Sequence, residues 1–284
     1  MFNPDDRVLV AVSGGKDSLA LWHLLLEHGY RADGLYLGLG IGEYSDRSGE
    51  FARTFAAERG LTLIDVDVRA TYGFDVPQAA SATGREPCSA CGLSKRHLFN
   101  GIAMARGYDV VATGHNLDDE AAVLFGNVLR WETGYLGRQY PVLPAAPGFV
   151  RKVKPLVRLS EREMAAYCVL SGIDYIVEEC PMAEGNRHLG YKEALNAIEE
   201  RSPGSKAAFV TGYWERVHEH FAPQIASERE ELRACESCGA PTPPPSAAKP
   251  GTVKRARQVE AVLCAFCRLR ARAVGAHIPV RVES

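Results

Sequence analysis

The sequence predicts an α/β fold: a doubly wound parallel sheet followed by a small cysteine-rich module. In the first part of the chain, short apolar segments rich in β-branched residues alternate with amphipathic segments of helical period. This alternation is typical of a parallel sheet with helices on both faces. Near the C-terminus, two Cys-x-x-Cys pairs flank a stretch rich in proline and basic residues. We predict a body over residues 1–228, with a helical part at 156–228, and a terminal module over residues 229–284.

The strands and helices of the body follow from its hydrophobic periodicity. The predicted strands are 7–12, 32–40, 61–68, 108–114 and 173–179. The predicted helices are 17–28, 47–59, 94–106, one that begins near Asp118, 159–172 and much of 190–227. Ser160 and Glu163 predict a capping box at the start of helix 159–172, because each side chain satisfies the other residue's backbone N–H. Residues 131–155 predict a loop, and residues 240–251 predict a break without core-forming residues.

Length and composition favour an ordinary globular protein. The 284 residues are 46% hydrophobic and 24% charged, and no run of about 18 apolar residues predicts a membrane span. The first predicted strand begins at Arg7, which leaves no room for a signal peptide, so we expect a cytoplasmic location. Residues 229–284 hold ten Lys/Arg and five Asp/Glu, a balance of +5 that leaves −7 for the rest of the chain. A basic module favours a polyanionic partner, with a solvated basic face as the alternative.

The first predicted strand leads directly into a segment that suits phosphate binding. Its residues are Ser13, Gly14, Gly15, Lys16, Asp17 and Ser18. The glycines let the backbone approach an anion closely, and the following helix offers unpaired N–H groups and its positive dipole end. Lys16 adds charge, while Asp17 is suited to cap the helix or to hold Mg²⁺. The spacing is not that of a Walker A loop. We predict a nucleotide site, with a plain glycine turn as the alternative.

A second polar segment, Gly114 to Glu120, follows the strand 108–114. Loops at the carboxyl ends of parallel strands face the same crevice. This segment is therefore expected beside the segment Ser13 to Ser18, the predicted phosphate loop. Asp118 and Asp119 would lie in the first turn of a helix, where the dipole favours carboxylates. One of them is predicted to coordinate Mg²⁺ on the phosphates; the alternative is helix capping alone.

Four of the eight cysteines lie in the body. Cys88 and Cys91 form a Cys-x-x-Cys pair ahead of the helix predicted at 94–106, and Cys180 is the best third ligand. Three thiolates are too few for a closed zinc site, but they can hold a 4Fe–4S cluster with one iron open. A disulfide between Cys88 and Cys91, or zinc completed by a histidine such as His97, remains an alternative. Cys168 is expected in the core.

The terminal quartet consists of Cys235, Cys238, Cys264 and Cys267. Two Cys-x-x-Cys pairs form tight knuckles, and four thiolates close a tetrahedral zinc site that a small module needs in order to fold. The basic residues between and after the pairs are candidate contacts to an RNA backbone; they are Lys249, Lys254, Arg255, Arg257, Arg268, Arg270 and Arg272.

Taken together, these segments resemble one family, the tRNA 2-thiouridine synthetases of the TtuA type, which are PP-loop ATPases. The segments that carry the resemblance are SGGKDS, PCSACGLSKR, GHNLDDEAAVLFGNVLRW, GRQYPVLP, the KPL of RKVKPLVRL, EECP, and the terminal CESCG and CAFC. They span essentially the whole chain. The 2-thiocytidine synthetases of the TtcA type are close relatives that share the PP-loop and the cysteine-held cluster.

The resemblance implies a PP-loop fold of the adenine nucleotide alpha hydrolase type and a defined chemistry. ATP adenylates the C2 oxygen of a tRNA uridine, and sulfur then replaces that oxygen. Lys95 and Asp119 match the catalytic residues of the family, and the positions Cys88, Cys91 and Cys180 match ligands of a 4Fe–4S cluster whose open iron carries sulfide. The positions that match nucleotide contacts are Ala11, Val12, Ser13, Asp17, Ser18 and Gly114.

The resemblance also implies partners, and it leaves some alternatives open. The expected partners are tRNA and, in several members, a ubiquitin-like carrier that donates sulfur from a C-terminal thiocarboxylate; a homodimer is possible on the sequence. Members usually carry another Cys/His zinc ribbon before the PP-loop, whereas only six residues precede the first predicted strand here. We therefore keep 2-thiocytidine formation in tRNA, another tRNA position and thiolation of a small molecule as alternatives. A third hypothesis is a non-catalytic RNA-binding or redox-sensing protein, against which the presence of Lys95, Asp119 and the three cysteines argues.

Overall fold

A computed structural model describes residues 1–221, 232–244, 258–276 and 280–282. Its centre is a six-stranded sheet in the order β3-β2-β1-β4-β6-β5. The strands are β1 (Val8–Val12), β2 (Ala32–Gly38), β3 (Leu63–Asp67), β4 (Val110–Thr113), β5 (Val142–Leu143) and β6 (Arg151–Val153). All pairings are parallel except that of β5 with β6 at the edge. The predicted doubly wound parallel sheet is confirmed, and its strand order reverses between β1 and β4, where open sheets of this kind bind ligands.

Helices cover both faces of the sheet. Those of the body are α1 (Lys16–Glu27), α2 (Gly42–Glu58), α3 (Val68–Tyr72), α4 (Val76–Thr83), α5 (Pro87–Ala105), α6 (Leu117–Arg130), α7 (Thr133–Leu136), α8 (Glu161–Leu170), α9 (Arg187–Arg201) and α10 (Ser205–Arg216). Within β1, Val8 and Val10 pack into the cluster that holds α1 and α8, while Leu9 packs into the opposite cluster with α4 and α5. Because both faces are buried at the centre of the sheet, β1 (VLVAV) is apolar throughout rather than alternating. The edge strand β3 (LIDVD), in contrast, carries the exposed Asp65 and Asp67.

Three sequence predictions for local structure are wrong. The helix expected at 94–106 begins at Pro87, because proline is favoured in the first helical turn, so Cys88 and Cys91 lie within the helix rather than ahead of it. Residues 173–179 form no strand; they run beside the phosphate loop, where Ile176 N–H donates to the Gly14 carbonyl at 3.0 Å. The expected loop at 131–155 contains β6, which pairs with β4 in register.

The terminal module packs against the body. Its elements are β7 (Arg233–Ala234), β8 (Pro241–Thr242), β9 (Gln258–Glu260), α11 (Ala265–Ala273) and β10 (Val280–Val282). Phe266 and Leu269 of α11 belong to the same hydrophobic cluster as Phe74 and Leu98 of the body. The His97 ring stacks on Phe266 with the ring centroids 4.1 Å apart. The proposed boundary at 228/229, and most of the predicted break at 240–251, lie outside the described residues.

Within the described residues, no helix combines the length and the apolar character that crossing a bilayer requires.

Candidate active site

The phosphate loop is a rigid turn at the end of β1. Ser13 N–H donates to Ser18 Oγ at 3.0 Å, and Ser18 Oγ donates to the Gly15 carbonyl at 2.9 Å. Gly14 has a φ of 76°, and a Cβ there would lie 2.0 Å from the Ser48 carbonyl oxygen. Only glycine fits this position, because a side chain would meet both backbone strain and a backbone atom. Gly15, the N-cap of α1, has no side chain to occupy the first N–H groups of the helix.

The loop after β4 lies directly on the phosphate loop. A Cβ on Gly114 would lie 2.8 Å from the Asp17 carbonyl carbon, so glycine is required here by close backbone approach. Asn116 Nδ2 donates to Asp17 Oδ1 at 3.1 Å, which ties the two loops together. Asn116 also caps α6 in a capping box with Asp119. The structure therefore places the two polar segments next to each other, as predicted.

Among the cavities formed by the described residues, one of about 450 Å³ lies at the carboxyl ends of β1 and β4. Its lining includes the six positions that match nucleotide contacts in the family, namely Ala11, Val12, Ser13, Asp17, Ser18 and Gly114. It also includes the matched catalytic and cysteine positions, namely Lys95, Asp119, Cys88, Cys91 and Cys180. Gly14, Gly15 and Lys16, which we also assigned to ATP, are not part of this lining.

Lys16 lies beside the cavity in a network of ion pairs. Its Nζ is 3.1 Å from Asp17 Oδ2 and 2.7 Å from Glu161 Oε1. Burial lowers the pKa of Lys16, but the hydrogen bonds and charges of Glu161 and Asp17 outweigh it, so that the pKa is raised. Burial raises the pKa of Asp17 in spite of Lys16 and Asn116. The lysine therefore stays charged at the edge of the predicted phosphate site.

Cys88, Cys91 and Cys180 reach the cavity from two elements. The first two lie in the first turns of α5, while Cys180 is the N-cap of a 3₁₀ turn at Pro181–Ala183. Asn186 Nδ2 donates to Cys88 Sγ at 3.5 Å. Burial raises the pKa of the Cys88 thiol, and the charges of Cys91 and Cys180 raise it further. Three cysteine side chains that line one cavity are a donor set that fits a cluster held by three thiolates.

The alternative of zinc completed by His97 does not fit the structure. His97 faces the terminal module, where it stacks on Phe266 and forms a hydrogen bond that lowers the pKa of Cys264. Cys168, in contrast, is fully buried in the core as expected. Its Sγ donates to the Lys16 carbonyl at 3.5 Å.

His115 is a cavity residue that the sequence analysis did not single out. Its Nδ1 is 2.8 Å from Thr113 Oγ1, and burial, followed by the charge of Lys154, lowers its pKa. A neutral imidazole therefore faces the cavity near Asp119 and Lys95. Its position immediately after Gly114, in a polar segment that ends a strand, is the signal that could have identified it.

The terminal quartet is assembled as predicted. The Sγ atoms of Cys235, Cys238, Cys264 and Cys267 all lie within 4.8 Å of one another. Cys238 Sγ and Cys264 Sγ are 3.7 Å apart, about the spacing of two thiolates on a tetrahedral zinc with Zn–S bonds of about 2.3 Å. The hydrogen bond between Cys264 and Cys267 lowers the pKa of the Cys264 thiol and raises that of Cys267. The geometry and the ligand chemistry fit a structural metal.

The basic residues of α11 lie on its outer surface. Arg268, Arg270 and Arg272 are exposed, although Arg270 Nε also donates to the Tyr72 carbonyl at 2.9 Å. The other predicted RNA contacts lie outside the described residues; they are Lys249, Lys254, Arg255 and Arg257.

Comparison with known proteins identifies the family. The family model described as a PP-loop domain matches residues 2–185. The chain is 52% identical over 270 residues to a tRNA-5-methyluridine(54) 2-sulfurtransferase of Thermus thermophilus, an alignment that covers 95% of this chain and 78% of the relative. It is 43% identical over 242 residues to a Pyrococcus horikoshii protein of the same name, which covers 85% and 76% of the two chains.

A solved structure supports the same conclusion. The U34-tRNA thiolase NcsA of Methanococcus maripaludis, determined with its [4Fe-4S] cluster, aligns with a TM-score of 0.68 and 28% identity, and the alignment covers 77% of this chain and 74% of that one. Together with the matches in sequence, this confirms the resemblance inferred from the motifs: the chain belongs to the PP-loop family of tRNA 2-sulfurtransferases.

Proposed function

We propose that this chain uses ATP to replace the C2 oxygen of 5-methyluridine 54 in tRNA with sulfur. The observation that carries the proposal is that one cavity is lined by Ser13, Asp17 and Ser18 of the phosphate loop, by Lys95 and Asp119, and by three cysteines. ATP activates the oxygen that is bound to C2, and sulfur then bonds to C2 itself, so both sets of groups are needed in one place. Two relatives that are 52% and 43% identical to this chain are named for this nucleotide, which supports the choice.

In the first step, the uridine O2 attacks the α-phosphorus of ATP. An O–P bond forms, the bond between the α-phosphorus and the bridging oxygen breaks, and pyrophosphate leaves. Asp17 and Asp119 offer carboxylate oxygens of the kind that Mg²⁺ prefers. Lys95 is proposed to stabilise the negative charge that develops on the phosphorus oxygens, and such a preorganised cation is most effective in a site that excludes water.

In the second step, sulfur bonds to C2, the bond between C2 and the adenylated oxygen breaks, and AMP leaves. A proton of the incoming hydrogensulfide is released. A 4Fe–4S cluster, when bound, supplies an open iron site for sulfide. Cys88, Cys91 and Cys180 would hold it, and Asn186 would donate a hydrogen bond to the Cys88 sulfur. A neutral His115 in the same cavity is suited to accept the released proton.

Partners and metals complete the proposal. We assign zinc to the terminal quartet, which would hold α11 on the body and present its arginines to the tRNA backbone. We also propose a ubiquitin-like carrier with a C-terminal thiocarboxylate as the source of sulfur; the exposure of Cys88 gives such a tail access to the cavity.

The test is reconstitution with tRNA, ATP, Mg²⁺ and sulfide, followed by mass spectrometry of the nucleosides. We expect a 2-thiolated 5-methyluridine, together with AMP and pyrophosphate in equal amounts. Cys88→Ser and Cys180→Ser should lose iron and the thionucleoside, whereas the matched control Cys168→Ala should keep both. An unchanged nucleoside profile, with ATP still turned over, would rule out tRNA as the substrate and favour a small molecule.

A further inference from the structure

Lys192, on α9, lies between two acidic side chains beside the cavity. Its Nζ is 2.6 Å from Asp119 Oδ1 and 3.2 Å from Glu161 Oε2. The side chain is 24% exposed, and the two carboxylates outweigh the effect of burial, so the pKa of Lys192 is raised. Lys192 is therefore an ammonium held between two carboxylates, and no sequence motif indicated it.

Glu161 also binds Lys16, so five charged side chains form one continuous series of ion pairs, a charge ladder. In order, the members are Asp17, Lys16, Glu161, Lys192 and Asp119. Both ends of the ladder line the cavity. At its centre, each oxygen of the Glu161 carboxylate accepts a hydrogen bond from a different lysine. Two ammonium groups are thus held side by side, one contributed by the phosphate loop and one by α9.

Glu161 is the member best able to move. Its side chain is 41% exposed, compared with 19% for Lys16 and 24% for Lys192. Its backbone is fixed, because Glu161 N–H donates to Asp118 Oδ2 at 2.7 Å. Rotation of the side chain alone would therefore release both ammonium groups without disturbing α8.

A phosphate group fits the position of this carboxylate. It presents adjacent oxygens that can accept from two ammonium groups, and it carries more negative charge than a carboxylate. Charge-assisted hydrogen bonds between lysine and phosphate are among the stronger polar contacts in proteins. Because the ladder begins at the phosphate loop, the phosphate that reaches it would belong to the β,γ portion of ATP.

We propose that Lys192 and Glu161 form an exchangeable pyrophosphate subsite, in which the β,γ-phosphates of ATP replace the Glu161 carboxylate between Lys16 and Lys192. This inference rests on the proposed function, because it takes the cavity to be the ATP site. It assigns Glu161 the role of holding the two lysines together and of competing with the anion. Release of pyrophosphate would then be assisted by return of the Glu161 side chain.

The test is calorimetric binding of inorganic pyrophosphate, at fixed Mg²⁺, to the full-length protein without tRNA or a sulfur source. Lys192→Met should weaken binding about tenfold through loss of a charge-assisted contact, and Lys192→Arg should recover most of it. Glu161→Gln should strengthen binding about fivefold, because a competing charge is lost. Opposite shifts from two residues in contact are not expected if the ladder serves only the fold.

Matched controls on α9 separate this subsite from general electrostatics. Glu193→Gln and Arg201→Met make the same charge changes at exposed positions and should leave pyrophosphate affinity within about twofold. Wild-type affinity in both Lys192→Met and Glu161→Gln would overturn the subsite while leaving the ATP site intact. If the wild-type protein bound neither pyrophosphate nor ATP, the proposed function itself would fail, and the subsite with it.

Discussion

Asp118 and Asp119 are adjacent in the first turn of α6 but face different surroundings. Asp119 lines the cavity, where its Oδ1 contacts Lys192, whereas Asp118 is buried and paired with Lys206 of α10. Successive side chains of a helix point about 100° apart, so one of two adjacent aspartates can face the cavity while the other is buried in the protein. The sequence motif alone could not separate the two, and the structure does so by burial.

This division predicts opposite phenotypes for two conservative substitutions. Asp119→Asn keeps an oxygen that can accept from the Asn116 backbone, so we expect ordinary stability and a loss of pyrophosphate release of about 100-fold or more. Asp118→Asn leaves the Lys206 ammonium buried without its counter-charge, which is expected to cost about 3–5 kcal/mol. Urea unfolding and single-turnover pyrophosphate release measure both quantities. Equal losses of stability in the two variants would contradict the assignment.

Much of the fold could be predicted from the sequence because its signals are local. The strand-then-glycine order at Ser13–Ser18 and the paired Cys-x-x-Cys motifs each depend on a few neighbouring residues. The capping box of Ser160 and Glu163 was also predicted and is present. These signals located both the phosphate loop and the terminal cysteine quartet.

The features that were missed depend on distant partners. β6 is only three residues long and exists because it pairs with β4, so periodicity could not reveal it. Residues 173–179 have the composition of a strand, but no neighbouring strand is available to them beside Gly14. Lys192 looks like any lysine on an exposed helix until α9 is placed against α6. Long-range packing, rather than local propensity, decided these positions.

Removal of metal from the terminal quartet is expected to loosen α11 from the body. Cys267→Ser should abolish stoichiometric zinc, because three thiolates no longer close the tetrahedral site, and should lower thermal stability. Zinc content by mass spectrometry and thermal unfolding are the measurements. Cys168→Ala should keep zinc, since Cys168 lies in a different cluster of the core. Full zinc content in Cys267→Ser would contradict the assignment.

Cys168 is expected to make stability depend on alkaline pH. Burial, followed by the charge of Asp17, raises its pKa from 9.0 to about 11. A raised pKa means that the folded state favours the thiol, so the contribution to stability is complete below pH 9 and is lost as the pH rises through about 11. The destabilisation caused by Cys168→Ala, measured by urea unfolding, should therefore shrink across this window. A difference that stays constant with pH would show that the thiol does not titrate as described.

Trp131 is expected to be replaceable by glycine with a gain in stability. It ends α6 with a φ of 51°, the one left-handed non-glycine residue in the described part of the chain, and its side chain is 71% exposed. A residue with a Cβ in the left-handed conformation costs about 1–2 kcal/mol. Glycine avoids this strain, but it loses more backbone entropy on folding, which cancels part of the gain. Trp131→Gly should therefore raise the free energy of unfolding by about 0.5–1 kcal/mol.

Trp131→Ala is the matched control for this substitution. It removes the same indole ring but keeps the Cβ in the left-handed conformation, so its stability in urea should stay close to that of the wild type. If the alanine variant gained as much stability as the glycine variant, the cost would lie in the exposed ring and not in the backbone. If both variants lost stability, the Trp131 ring would be making contacts that compensate for the strain at the end of α6.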